Sequence, residues 1–325
     1  MVIDVAAVGE LIVDFCFVGK NDQGYPLLEA SPGGAPANLL AAFCTYGGTG
    51  AMIGKVGEDP FGHQMIRTLF QRGVQVEAIR IDPSVYTTLS FVTLDETGNR
   101  SFSFARKPGA DACLNWQEVD RQTLDMARMV HFGSFSLTKE PCRTAVRNAI
   151  SYAKTKGKWI SFDPNIRLSL WPDAQTARQE IFWGLEQADV VKISEEEVDF
   201  LWHLSPEEGA ERIISQYGAQ LVFVTMGKNG CVGRSTLASV QVPSPSGIHT
   251  VDTVGAGDIF YGSALAYLFR QDISWPVGKE TLQKMLRFAC TAASLSTQSH
   301  GGIPSIVSLD EIIKLQNEVP TTKSK

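Results

Sequence analysis

This sequence predicts an α/β protein: a doubly wound, mostly parallel sheet flanked by helices, with a small β-sheet lid laid over it. Three observations carry that expectation. Apolar runs of strand length, several apolar on both faces, alternate with longer stretches of helical spacing, the βαβ pattern of a parallel sheet. The helical stretches close on glycine, where a left-handed cap costs least. Two segments break the alternation, 15–29 and 87–106; the second has period-2 runs flanking the turn "DETGN" and reads as a hairpin.

In chain order, "VAAVGELIV" is the first strand. The N-terminal "MVIDVAAVGELIVDF" has neither the basic flank nor the small-residue cleavage site of a signal peptide, and Asp4 and Glu10 interrupt its apolar run. "TGAMIGKVG", "MVHFGS", "WISFDPN", "DVVKIS" and "LVFVTMG" supply five more strands. "PANLLAAFCTYG", "GHQMIRTLFQRG", "CRTAVRNAISYAKTKG" and "PEEGAERIISQYG" are the helices between them. The irregular segments, about 15–30 and 86–107, are expected to form the lid of one domain running over 1–325.

With 325 residues, 44% of them hydrophobic, the chain has material for a large core. A net charge of -6, with no Lys/Arg stripe outside the terminal "TTKSK", argues against nucleic acid and for small-molecule partners. The six cysteines are scattered without a CxxC pair, so neither zinc nor a disulfide framework is expected, and the five histidines form no HExxH. No apolar stretch reaches the length of a membrane span, which points to a cytoplasmic protein.

The chemistry is expected where strands end, since open α/β sheets bind ligands beyond the carboxyl ends of their strands. Asp14, "GGAPAN", "DPNIR", "SEEE" and "TMGKNG" all fall at such ends. In "SPGGAPANLL", Gly33 and Gly34 let backbone approach a hydroxyl-bearing ligand while Asn38 offers a donor and an acceptor. A plain turn with a capped helix start would use the same residues. In "VDTVGAGDIF", Gly255, Ala256 and Gly257 leave backbone N–H groups converging at a helix start, an anion hole. Asp258 beside them is expected to be stabilised as an anion, a weak base suited to a hydroxyl that acidifies as it attacks phosphorus.

Ten ordered segments, among them "GELIVDF", "PGGAPAN", "FARKPGAD", "DPNIRLSLWP", "KISEEE", "DTVGAGD" and "GGIPS", resemble the ribokinase-like (PfkB) carbohydrate kinases, and among them the fructokinases. The resemblance implies transfer of the γ-phosphoryl of Mg²⁺-bound ATP to a primary hydroxyl of fructose. Asp258 would be the base, the Gly255–Asp258 amides the anion hole, and the lid the barrier to water. It further implies that Asp14, Gly33, Gly34 and Asn38 hold sugar hydroxyls and that Phe104, Arg106 and Arg167 stand near sugar and phosphate. Ser194, Thr225, Gly227, Gly230 and Cys290 match nucleotide-binding positions, with Ser194 where the family's Asn-x-x-Glu has Asn. Glu197 would organise Mg²⁺ through water. Asp252 and the Val254 carbonyl, with Ser296, Ser299, Gly301 and Ser305, match a monovalent-cation site usually filled by K⁺. A homodimer through the lid is compatible with the family.

Two other readings stay open at this level. A riboside such as aminoimidazole riboside could replace fructose, with Phe102, Phe104 and Tyr86 as a stacking surface for its second ring. A non-catalytic sugar- or nucleotide-sensing protein would be expected to have lost Asp258 or the glycines, which are intact. A nicotinamide dehydrogenase is disfavoured because no GxGxxG follows the first strand.

Overall fold

The computed structural model describes residues 2–94, 100–271 and 275–318. In chain order the elements are β1 (Ile3–Val8), β2 (Ile12–Lys20), β3 (Pro26–Gly33), α1 (Ala35–Thr45), β4 (Gly50–Gly57), α2 (Pro60–Gln71), β5 (Ile79–Asp82), β6 (Thr88–Leu94) and β7 (Arg100–Ala105). Next come α3 (Arg121–Met126), β8 (Ala127–Gly133), α4 (Cys142–Thr155), β9 (Trp159–Asp163), α5 (Ala174–Gln187), β10 (Val190–Ser194), α6 (Glu195–Trp202) and α7 (Pro206–Tyr217). The chain finishes with β11 (Leu221–Thr225), β12 (Cys231–Ser235), β13 (Ser239–Val242), α8 (Ala256–Arg270), α9 (Lys279–Ser296) and α10 (Leu309–Glu318).

Nine strands form one sheet in the order β13-β12-β11-β10-β9-β8-β1-β4-β5, parallel except where β12 and β13 fold back antiparallel at one edge. Both faces are covered, which is why its strands read as continuous apolar runs. Val5 and Ala7 pack with Leu40 and Phe43 of α1, Leu265 of α8 and Leu286 of α9. Ala6 and Val8 face the other way, toward Val146 and Ile150 of α4, Ile181 of α5 and Ile213 of α7. The four helices expected from spacing are present, and each ends within two residues of its closing glycine.

The run "VAAVGELIV" is not one strand. Val8 ends β1 in the large sheet, and after a turn through Gly9 and Glu10 the chain enters β2 of a second sheet of four strands, ordered β3-β2-β6-β7. Both halves of the run are buried, so apolar continuity hid the turn. The small sheet therefore begins at Ile12, earlier than expected, and Asp14 lies inside a lid-type strand and not at the end of a main one. The antiparallel pairing of β6 with β7 matches the expected hairpin. Its turn "DETGN" and the terminal "TTKSK" lie outside the described residues.

The strand order reverses at β1: β4 lies on one side, and β8 followed by β9 to β11 on the other. A crevice opens beyond the carboxyl ends of strands at such a reversal. Among the described residues no helix is long and apolar enough to cross a membrane, and no disulfide joins the cysteines.

Candidate active site

The crevice at the reversal is built first by α1. Its N-terminal residue Gly34 has φ 104°, and a Cβ there would stand 2.6 Å from the Glu10 carbonyl oxygen, so only glycine lets the helix start this close to the end of β1. The first turn presents Asn38, which is buried. Across from it Asp14 projects from β2, itself buried, with Gly33 so close that a side chain there would strike its carboxylate. Burial pushes the Asp14 pKa up to about 6 against the opposing pull of the Ser90 hydroxyl and Arg167.

The opposite wall is the start of α8. Gly255 caps it in the left-handed region at φ 75°, and a Cβ would lie 2.6 Å from Gly302 Cα. Asp258 follows in the first turn. Its Oδ2 accepts from Asn38 Nδ2 at 2.9 Å and its Oδ1 from Asn165 Nδ2 at 3.3 Å. Asn165 adopts a positive φ of 39°, a conformation that asparagine tolerates better than most residues. Burial raises the Asp258 pKa above the ordinary carboxylate value, while Lys192, Asn38 and Arg167 pull it down. The weak base expected from the helix N-terminus is corrected in direction: loss of water raises the proton affinity of Asp258 above the ordinary carboxylate value despite Lys192, Asn38 and Arg167. The expected hole is also narrower, because Ala256 N–H donates back to the Thr253 carbonyl at 3.3 Å while Gly255 and Gly257 line the cavity.

Between these walls lies a cavity of about 300 Å³. Of the residues singled out from the sequence it is lined by Asp14, Gly34, Asn38, Phe104, Arg167, Val254, Gly255, Gly257 and Asp258. Arg106 is placed elsewhere than expected. It is buried behind the wall, bound to Asp111 at 2.7 and 2.8 Å and to Thr138 at 2.6 Å, and its guanidinium lies over the Phe135 ring. Of the three rings considered for stacking, Phe104 lines the cavity, Tyr86 is 80% exposed away from it, and the Phe102 side chain lies outside the described residues.

Sequence reasoning missed Glu10, Ser90, Phe135, Asn165 and Lys192, all of which line the cavity. Lys192 had a legible signal, a lone cation in the apolar strand "DVVKIS". It is buried, with Nζ 3.0 Å from Asp163 Oδ2 and 3.1 Å from where a Cβ on Gly257 would be. Burial works against its charge, but Asp163, Glu197 and Asp258 outweigh that and hold its pKa above the ordinary value.

Ser194 and Thr225 pair side by side at the carboxyl ends of β10 and β11, with the Gly227–Asn229 turn and Gly230 just beyond, while Cys290 lies buried in α9. Glu197 is not turned toward the cavity. It closes a capping box with Ser194, accepting the Ser194 N–H at 2.9 Å, and its other oxygen accepts the Ile166 N–H at 2.6 Å. Such a carboxylate braces two loops at the carboxyl end of β10, with one backbone N–H on each oxygen.

Of the expected cation residues, Val254 and Gly301 meet at Asp252. Its two oxygens accept Val254 N–H and Gly301 N–H, each at 2.9 Å. Ser296 and Ser305 are buried and donate their hydroxyl protons to nearby carbonyls, which leaves oxygen lone pairs available; Ser299 is exposed. A buried carboxylate with hydroxyl and carbonyl oxygens is a donor set suited to a hard cation.

The profile of the pfkB family carbohydrate kinases matches residues 2–309 of this chain. The chain belongs to the pfkB family. As a pfkB member it is an ATP-dependent carbohydrate kinase. It is 36% identical to fructokinase-2 of Solanum lycopersicum over 96% of its own length and 95% of the relative's. A Xylella fastidiosa fructokinase solved with bound ATP superposes with a TM-score of 0.87 at 28% identity, covering 97% and 98% of the two chains. A double mutant of the Vibrio cholerae fructokinase, solved with fructose, ADP and potassium ion, gives 0.84 at 30% identity over 97% and 98%. The pfkB fold accounts for both sheets found here.

Proposed function

We propose that this kinase phosphorylates fructose, transferring the γ-phosphoryl group of Mg·ATP to a primary hydroxyl. The observation that carries the reading is Asp258, a buried carboxylate with raised proton affinity, aimed by two asparagine amides and standing next to Gly255 and Gly257 at the mouth of α8. In this mechanism Asp258 takes the hydroxyl proton as the oxygen attacks phosphorus. The helix start, Lys192 and Arg167 stabilise the negative charge spread over the transferring group. Asp14 and the Asn38 carbonyl oxygen accept from the sugar hydroxyls. The structures similar to this one that hold fructose with ADP, or ATP, support the substrate pair.

The nucleotide is assigned to the Ser194, Thr225, Gly227 and Gly230 edge, with Cys290 below it. K⁺ would be held by Asp252, the Val254 carbonyl and the loop to Ser305, and would supply positive charge behind the anion hole. The small sheet is read as the lid, and its exposed Val18, Leu27 and Leu28 as the contact of a homodimer in the cytoplasm.

The test is ATP-dependent phosphorylation, with and without K⁺, of fructose, ribose, glucose, adenosine and aminoimidazole riboside, run beside Asp258→Asn. Turnover of fructose alone, abolished in the variant, is the expected result. Preference for the riboside would move the substrate, and no turnover of any acceptor would remove the catalytic reading.

A further inference from the structure

Glu10 stands at the carboxyl end of β1, 3% exposed, and lines the cavity. Its Oε1 accepts the N–H of Ala35, the first residue of α1, at 3.1 Å, and its Oε2 is bonded at 3.2 Å to Ser136 Oγ in the turn after β8, a hydroxyl that donates to a carboxylate or accepts from a carboxylic acid. One side chain therefore spans the two walls that meet where the strand order reverses: the start of α1, which carries Gly34 and Asn38, and the turn that carries Phe135. The cation nearest in charge is Arg106, already bound to Asp111. A carboxylic acid satisfies both partners at once. Its carbonyl oxygen accepts the amide proton, and its O–H donates to Ser136 Oγ, which can accept. A carboxylate here would be a buried charge without a cation of its own.

We propose that Glu10 works as an uncharged carboxylic acid and is a positioning residue of the sugar cavity, its proton bridging to Ser136 while its carbonyl oxygen holds the amino end of α1. The inference rests on the reading of this cavity as the sugar site. Burial, reinforced by Asp111, pushes the Glu10 pKa up to about 8, against the backbone amides and Arg106. Ionisation reverses the bond, with the Ser136 hydroxyl now donating, and leaves a buried charge between the two walls. It also adds negative charge near Asp14, Asp111 and Asp258, which Arg106, Arg167 and Lys192 only partly offset. Sugar affinity then falls as pH rises through that value.

The experiment is KM and kcat for fructose in wild type, Glu10→Gln and Glu10→Ala from neutral pH to well above pH 8. Glutamine copies the acid form, with a carbonyl for Ala35 and an N–H for Ser136. The expected result is a wild-type KM that climbs about tenfold per pH unit beyond the ionisation, a Glu10→Gln KM that stays flat, and a Glu10→Ala KM raised at every pH. An alkaline rise shared by wild type and Glu10→Gln, or Glu10→Gln as impaired as Glu10→Ala at neutral pH, overturns the proposal. Infrared difference spectra of wild type against Glu10→Gln, without sugar, give a readout independent of turnover. A protonated-carboxyl band that is lost near pH 8 supports the proposal even if fructose proves to be the wrong acceptor, and absence of the band at neutral pH overturns it.

Discussion

Asn38 Nδ2 donates to Asp258 Oδ2 at 2.9 Å, joining the first turns of two helices whose residues are 220 positions apart. The bond fixes the carboxylate toward the cavity and leaves the Asn38 carbonyl oxygen without a protein partner in the same buried space. A buried acceptor of this kind calls for a donor, and in the proposed reading a sugar hydroxyl would supply one.

Asp258→Asn keeps the size of the side chain but cannot take a proton, and its single amide oxygen can accept from only one of Asn38 and Asn165. Its kcat is expected to fall by about 100- to 10,000-fold, with KM for sugar and ATP changed little. Steady-state kinetics checks this, and near-normal kcat would assign the base elsewhere.

Asp14→Asn separates binding from stability. The folded pKa of Asp14, about 6, lies above its ordinary 3.8, so its favourable contribution is full below pH 3.8 and is lost as pH rises through 6. Asparagine does not suffer that loss. The variant is expected to be more stable than wild type by on the order of 3 kcal/mol at pH 8 and equal to it below pH 4, while its sugar KM rises. Urea unfolding at the two pH values checks the sign.

Arg106 and Arg167 are expected to fail in different ways. Arg106→Ala strands Asp111 in the core, a change that costs about 3–5 kcal/mol when a buried pair is broken. Arg167→Ala, at a half-buried cavity wall, should leave the melting temperature near wild type and lower kcat/KM. Thermal melts beside kinetics distinguish the two.

Lys192→Met should destabilise the protein by about 3–5 kcal/mol, because Asp163 stays buried without its cation. The double variant Lys192→Met, Asp163→Leu should recover much of that stability and none of the activity. Recovery of both would make the pair purely structural.

The fold was legible because both faces of the large sheet are covered, so six strands announced themselves as apolar runs and four helices by spacing and terminal glycine. What stayed hidden has physical causes. The turn at Gly9 and Glu10 lies between two buried strands and leaves no polar break long enough to read as a loop. Glu10, Asn165 and Lys192 are single polar residues inside otherwise structural runs, and only the folded topology brings them to one cavity. Arg106 shows the reverse: a basic residue beside a Gly-Ala-Asp segment looks like a ligand contact in sequence, and the acid three-dimensionally nearest it, Asp111, claims it instead.

The turn through Gly9 and Glu10 sends one continuous segment from the large sheet into the small one, so Asp14 and Phe104 belong to one layer while Asn38 and Asp258 belong to the other. In the proposed reading a sugar bound there would touch both layers at once, so its binding and the contact between the layers are thermodynamically linked.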